Sequence, residues 1–367
     1  MAKLINIDNN NNMTCIICAK VKSGGCFSMA GNLQKNHVTV NKIYHDVIDG
    51  KDLREMLFLA CERLKEHIDI VNGINVYPVP DSDTGINMYQ TFQEIVKAIM
   101  DTDKEDFSSV ISAAAKGAFR GGTGNSGIIL AEYFYGLNNA WNGQEFIDGK
   151  LLAEGLASGT ETAYLALDNP REGTILTVAR VISETALKCT LSNNNPFEIL
   201  LTIFGEARQA LINTYFLLPA AKKAGVVDAG ALGLVLMFEG FISAIFGDNV
   251  PSGYHSRTID SDLLPFLVPE LGHVGEMEPE WEIQFLIGSL KKPLDFIRAQ
   301  LSLDGTSLVV QHDNASPSLK VHIHTKDPRN VISKISNLTG VHKVISVEAL
   351  HQQYKEFIEK LRNKVSE

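Results

Sequence analysis

The chain has 367 residues, with 33 Lys and Arg set against 43 Asp and Glu, giving a net charge of -10. That length fits two domains better than one, and the acidic balance argues against nucleic acid as the main partner. The hydrophobic share of 45% is enough for a sizeable core, and no apolar run reads as long enough to cross a bilayer.

Residues 1–44 read as an N-terminal extension. The run Asp8, Asn9, Asn10, Asn11, Asn12 is polar and of low complexity, so this segment is expected to be disordered or loosely attached. The apolar patch that follows is short and lacks a cleavage site, which argues against a signal peptide. Cys15, Cys18 and Cys26 cluster here, but the CxxC has no second pair nearby and makes only half a metal site. Cys61 and Cys189 fall in helical patterns as buried hydrophobes, and a reduced, cytoplasmic setting fits best.

Helical periodicity starts with Leu53, Leu57, Ala60, Leu64, Ile68 and Val71. Residues 75–87, NVYPVPDSDTGIN, come next. Pro78 and Pro80 stiffen a turn that carries two carboxylates, Asp81 and Asp83, and opens onto a helix. One cap is enough for that helix, and Asp83 or Thr84 can supply it. A second carboxylate adds repulsion unless a cation sits between the two, and hard cations take oxygen ligands. The alternative is a solvated Asp-rich turn. Met88, Phe92, Ile95 and Ile99 mark the next helix, and residues 110–119 another.

Residues 120–127, RGGTGNSG, then precede an apolar helix. Glycines let backbone N–H groups approach an anion, the helix dipole adds attraction, and Thr123, Asn125 and Ser126 offer side-chain hydrogen bonds. A tight interhelical turn is the alternative. The segment is neither a P-loop nor a dinucleotide fingerprint. Further helices are predicted over 151–167, from 175, over 196–215 and up to 246. That makes seven or eight helices without a strand. Their Gly-, Thr- and Asp-rich entry loops would share one end of an up-and-down bundle, which is a binding arrangement.

The segments NVYPVPDSDTGINM, GGTGNSGIIL, REGTILTV and GVVDAGALGLVLMFEGF resemble, in order, the signature segments of the nucleotide-binding domain of dihydroxyacetone kinases. They resemble more closely the bacterial fatty-acid kinase catalytic subunit family. The resemblance implies an all-α antiparallel barrel of eight helices over residues 45–250, with ATP and magnesium held in the loops at one end. It implies that Asp81 and Asp83 hold magnesium at the phosphates, with Asn75 at the family's first metal position. Thr84 and Asn87 would contact phosphate or a bound water, and Gly124, Asn125, Ser126, Thr174 and Asp228 would complete the pocket. Ser82 stands where the family usually has Gly, and is expected to be tolerated if its φ is negative.

A linker is expected over 251–278. The pattern beyond it reads β-α-β-β-α-β, a split βαβ domain over 279–367 that ends in a charged helix. His322 and His324 alternate on one strand and so share a face, a spacing that suits two ligands of one metal. The alternative is a partly exposed His pair on a polar sheet face. In the resembling family, an HxH and a cysteine of the first strand bind zinc in this domain. Glu282 takes the cysteine position here, so a zinc set would be His322, His324 and Glu282. The family's further C-terminal domain, which engages a lipid-carrying partner, is not found before the chain ends. The expected function is a kinase that transfers the γ-phosphate of ATP to an acceptor on a partner protein, a fatty acyl carboxylate, giving an acyl phosphate. Phosphorylation of a small hydroxy-ketone such as dihydroxyacetone, or a nucleotide-binding scaffold without turnover, are the alternatives. A homodimer is left open.

Overall fold

The computed structural model describes residues 3–7, 13–17, 46–269, 280–313, 316 and 318–365. The chain divides into two units, 1–42 and 43–367. In the first, strands β1 (Lys3–Ile7) and β2 (Met13–Ile17) pair antiparallel, with Cys15 opposite Ile5. Part of the segment expected to be disordered is thus paired strand. The rest of it, including Cys18 and Cys26, lies outside the described residues.

The second unit begins with helices α1 (Gly50–Glu66), α2 (Ile68–Gly73), α3 (Thr84–Met100), α4 (Phe107–Gly121), α5 (Gly124–Trp141), α6 (Gly149–Ala166), α7 (Ile175–Cys189), α8 (Pro196–Leu217), α9 (Pro219–Ala224) and α10 (Ala229–Phe246). Leaving aside the six-residue α2 and α9, eight long helices remain. Successive long helices pack on one another, and α10 returns to α1, which closes the ring. α10 is apolar on nearly every side, with Glu239 its one charged residue. By length and composition it could span a membrane, contrary to the sequence expectation, but 89% of it is buried inside the protein. Gly240 makes its seating possible: a Cβ there would lie 2.4 Å from the Ala60 backbone on α1.

The two ends of the barrel are capped differently. At one end Asp49, Asp106, Asp148 and Asn195 cap α1, α4, α6 and α8 through side-chain hydrogen bonds to backbone N–H groups. At the other end lie the N-termini of α3, α5, α7 and α10. There Asp83 and Thr123, the N-cap residues of α3 and α5, make no such bond. Alternation of eight helices puts the four Gly-bearing entry loops together at that end.

The segment expected as a linker packs back on the barrel. Arg208 of α8 pairs with Asp260, the Thr258 N–H donates to Glu239 of α10 (2.7 Å), and the Phe266 ring lies against Tyr215. Strand β3 (Trp281–Leu290), helix α11 (Leu294–Leu301), strands β4 (Thr306–His312) and β5 (Leu319–Thr325), helix α12 (Pro328–Leu338), strand β6 (Thr339–Ala349) and helix α13 (Leu350–Val365) then follow. The sheet is antiparallel in the order β4-β5-β3-β6, as the split βαβ pattern requires. Ile283, Phe285, Val321 and Ile323 pack on one face with Ile297, Val331 and Ile335 of its helices. The period of two sends Glu282, Gln284, Lys320, His322 and His324 to the other face.

That polar face is buried against the barrel. Lys320 Nζ donates to the carbonyls of Phe119 (2.7 Å), Arg120 (3.2 Å) and Gly122 (2.8 Å), which caps the C-terminus of α4. Gln311 donates to Ala118 O, and the His312 backbone N–H to the buried Glu132 of α5. Val309 forms a bridge with Leu167 at the end of α6.

Candidate active site

The aspartate turn connects α2 to α3. Its Tyr77–Pro78 peptide is cis. The cap of α3 comes from neither Asp83 nor Thr84. Asn72, at the end of α2, accepts the Gly85 N–H (2.7 Å) and the Ile86 N–H (3.2 Å) through Oδ1. This requires a close approach, since a Cβ on Gly85 would lie 2.7 Å from Ile68 O. Capping from Asn72 leaves both carboxylates free for another purpose. Asn75 donates to Asp81 Oδ1 and to Val79 O, and accepts from Thr84 Oγ1. Both ends of its amide are therefore engaged within the turn. Asn87, one turn into α3, donates to Asp83 Oδ2 (2.7 Å) and accepts from Thr123 Oγ1 (3.1 Å). It ties the aspartate turn to the glycine loop.

That loop opens α5 through Gly124, whose φ of +59° is left-handed. A Cβ there would lie 2.2 Å from Asn87 Nδ2. Asn125 Oδ1 is buried without a hydrogen-bond partner. Thr174 caps α7 and donates to Arg171 O (2.7 Å), and Asp228 caps α10 by accepting the Ala231 N–H (2.7 Å). A cavity of about 580 Å³ lies among these helix starts, lined by Thr84, Asn125, Ser126, Thr174 and Asp228 and walled by Tyr77, Ile129 and Leu176. The second domain closes one side of it with the 302–308 turn.

A smaller recess adjoins the cavity and shares Thr84, Asn125 and Ser126 with it. The recess joins Asn75, Asp81 and Asp83 to Glu282, His322 and His324. The β3–β5 register sets Glu282 opposite His324 and Gln284 opposite His322. The His pair is fully buried, not partly exposed. His322 Nδ1 pairs with Glu282 Oε1 at 3.2 Å, whereas His322 Nε2 and His324 Nδ1 have no hydrogen-bond partner. Ligand atoms of Asp81, Asp83 and Glu282 lie within 4.8 Å of one another, and so do those of Glu282, His322 and His324. The two groups that sequence reasoning kept apart, one per domain, meet at Glu282.

Residues 78–243 match the model of the DAK2 domain, and residues 278–357 that of the FakA-like middle domain of fatty acid kinases. The chain belongs to the family that joins these two domains. Among curated relatives of this DAK2-domain protein, an uncharacterized protein of Staphylococcus saprophyticus is 34% identical over 322 residues, covering 85% of this chain and 57% of its own length. One of Staphylococcus aureus USA300 is 34% identical over 85% of this chain and 58% of its own length. The chain thus spans less than three fifths of the curated relatives it matches. Among solved structures, the dihydroxyacetone kinase from C. freundii in complex with AMP-PNP and Mg2+ aligns with a TM-score of 0.41 at 14% identity, covering 59% of this chain and 38% of that one.

In the DAK2-domain protein the residues named from the sequence for ATP and magnesium fall at this end of the barrel. Thr174 and Asp228 line the large cavity; Asn75, Asp81 and Asp83 line the recess; Asn87 and Gly124 stand behind it. Ser82 has a φ of +62°, so the condition of a negative φ does not hold. Its Oγ donates to Asn72 O (3.2 Å), which offsets part of the left-handed strain. Asn72, Arg171, Lys320 and the 302–308 turn were missed. Arg171 lay in plain view inside REGT, whereas the others act through contacts distant in sequence.

Among the described residues no Lys or Arg lines the recess, and three carboxylates crowd it. Burial, reinforced by Asp83, raises Asp81 well above the ordinary carboxylate range. Burial, then the charge of Glu282, raises Asp83 to about 6. Burial also disfavours ionised Glu282, but adjacent His322 outweighs it and holds the carboxyl down at about 2. Burial, then His322, lowers His324 to about 3, leaving a neutral imidazole with one unprotonated ring nitrogen. Burial raises Asp228 to about 7. The recess is therefore short of positive charge. Its donor set, three carboxylates and two imidazoles, fits divalent cations.

Proposed function

We propose that this chain is an ATP-dependent kinase whose acceptor is a fatty acyl carboxylate carried by a separate protein, the product being an acyl phosphate. The observation that carries this reading is the meeting of four helix N-termini around one cavity, with paired carboxylates at its end. Helix N-termini attract anions, and the α5 N-terminus makes no side-chain cap bond. Phosphates would lie along Thr84, Asn125 and Ser126, the polar side chains common to cavity and recess. The nucleoside would extend between Ile129, Leu176 and Tyr77.

Asp81 and Asp83 would hold magnesium, which neutralises phosphate charge during transfer. Asn75 and Asn87 fix the aim of these carboxylates through their amides, so positioning comes from the chain itself. A carboxylate acceptor is already ionised near neutral pH, so no general base is needed. Glu282, His322 and His324 suit zinc by donor type. The free thiols Cys61 and Cys189 suit a reducing cytoplasm.

Asp81→Ala with Asp83→Ala tests the reading. Calorimetry with magnesium and a non-hydrolysable ATP analogue should show at least tenfold weaker binding, with the helical circular dichroism kept. Phosphate transfer to an acyl-loaded carrier should be lost. Unchanged binding and transfer would overturn it.

A further inference from the structure

The recess holds more ligand atoms than one cation needs. Asp81, Asp83 and Glu282 form an all-oxygen set, and Glu282, His322 and His324 form a nitrogen-rich one; each set is compact to within 4.8 Å. The first suits a hard ion and the second a borderline one. The imidazoles are the independent sign that something binds. Two of their ring nitrogens, His322 Nε2 and His324 Nδ1, are buried without a partner, on a sheet face pressed against the barrel. A buried polar atom is costly unless something satisfies it. Glu282 belongs to both sets, and a carboxylate has two oxygens with lone pairs enough for two ions.

We propose that Glu282 bridges two divalent cations, one held by Asp81 and Asp83 of the barrel and one by His322 and His324 of the sheet, so that the two domains build a single two-metal centre. This rests on the reading of the aspartate pair as cation ligands. Neither domain alone supplies the full set. Filling one position pre-orients Glu282 for the other, so the two ions bind cooperatively. An ion pair sharing a carboxylate lies close enough to act on one phosphoryl group.

The test uses the full chain, stripped with chelator and reloaded with Mn2+ without nucleotide, so a failure of the kinase reading does not affect it. Metal analysis should find two Mn2+ per chain, and low-temperature electron paramagnetic resonance should show exchange coupling between them. Glu282→Gln should abolish the coupling and weaken both positions at least tenfold. Glu282→Cys should keep Co2+ on the His pair, with a thiolate charge-transfer band, while Mn2+ at the aspartates weakens and appears isolated. Two uncoupled Mn2+ signals in the wild type would overturn the proposal. So would a Glu282→Gln chain that loses Co2+ from the His pair yet binds Mn2+ at the aspartates within twofold of wild type. If the Gln variant misfolds, the wild-type spectrum and the Cys variant decide.

Discussion

Gly124→Ala probes the joint between the glycine loop and the aspartate turn. Gly124 has a φ of +59°, a conformation that costs an L-residue about 1–2 kcal/mol. The new methyl would sit 2.2 Å from Asn87 Nδ2, so the amide must move. Moving it breaks the 2.7 Å bond to Asp83, and a hydrogen bond to a carboxylate contributes about 1.5–3 kcal/mol. The loss of unfolded-chain freedom returns about 0.4–1 kcal/mol. The net cost is about 3 kcal/mol, a fall in Tm of roughly 6–12 °C at about 2–4 °C per kcal/mol for a domain of this size. Gly143→Ala is the control. Its φ is +85°, but nothing lies within 4 Å of the added carbon, so only the strain remains, about 1 kcal/mol. Thermal denaturation followed by circular dichroism gives both values. The double variant with Asn87→Ala loses the Asn87–Asp83 bond only once, so the losses should fall short of their sum by about 2 kcal/mol. If Gly124→Ala melts no lower than Gly143→Ala, the Asn87 amide does not clamp the loop to the turn.

Asp228 is raised to about 7 by burial, so the folded metal-free chain binds a proton there that the unfolded chain releases near pH 4. Stability should therefore fall as pH rises from about 4 to 7 and level off above, by up to about 4 kcal/mol from this group. Asp228→Asn keeps a capping oxygen, and in urea unfolding at pH 5 and pH 8 it should lose less stability than wild type across that interval. Lys320→Met removes the ammonium from three carbonyls at the end of α4. It should cost about 2–3 kcal/mol in urea unfolding, and limited proteolysis should cut sooner between the domains. Gly240→Ala drives a methyl into the Ala60 backbone at 2.4 Å and should cost about 3 kcal/mol by the same melts, because backbone there cannot step aside.

Much of this architecture was written in local pattern. The long helices, seven or eight by apolar spacing, were read from periodicity, and the β-α-β-β-α-β order from the change of pattern beyond residue 278. The cluster at one end was legible because the helices alternate and four entry loops share one composition. Three things were not legible. Asn72 looked like an ordinary helix-end residue, and its capping role depends on the angle at which α2 meets α3. Ser82 violated a rule that holds only when φ is known. The closeness of Glu282 to Asp81 is fixed by how the sheet docks, a contact between residues far apart in the chain that no periodicity encodes.

That docking explains why the polar sheet face tolerates burial. Without the barrel, Lys320, Gln311 and Glu282 would be hydrated side chains on an open face. Against it, Lys320 answers carbonyls at the end of α4 that a helix leaves unpaired, and Gln311 adds a second donor to Ala118 O. The bonds that fix the sheet thus end at Gly122, two residues before Gly124 and its contact with Asn87. A shift of the sheet would move the glycine loop and the Glu282 carboxylate together. Domain contact and site geometry are therefore one variable, and loosening Lys320 should disturb cation binding at Asp81 and Asp83 even though it touches neither.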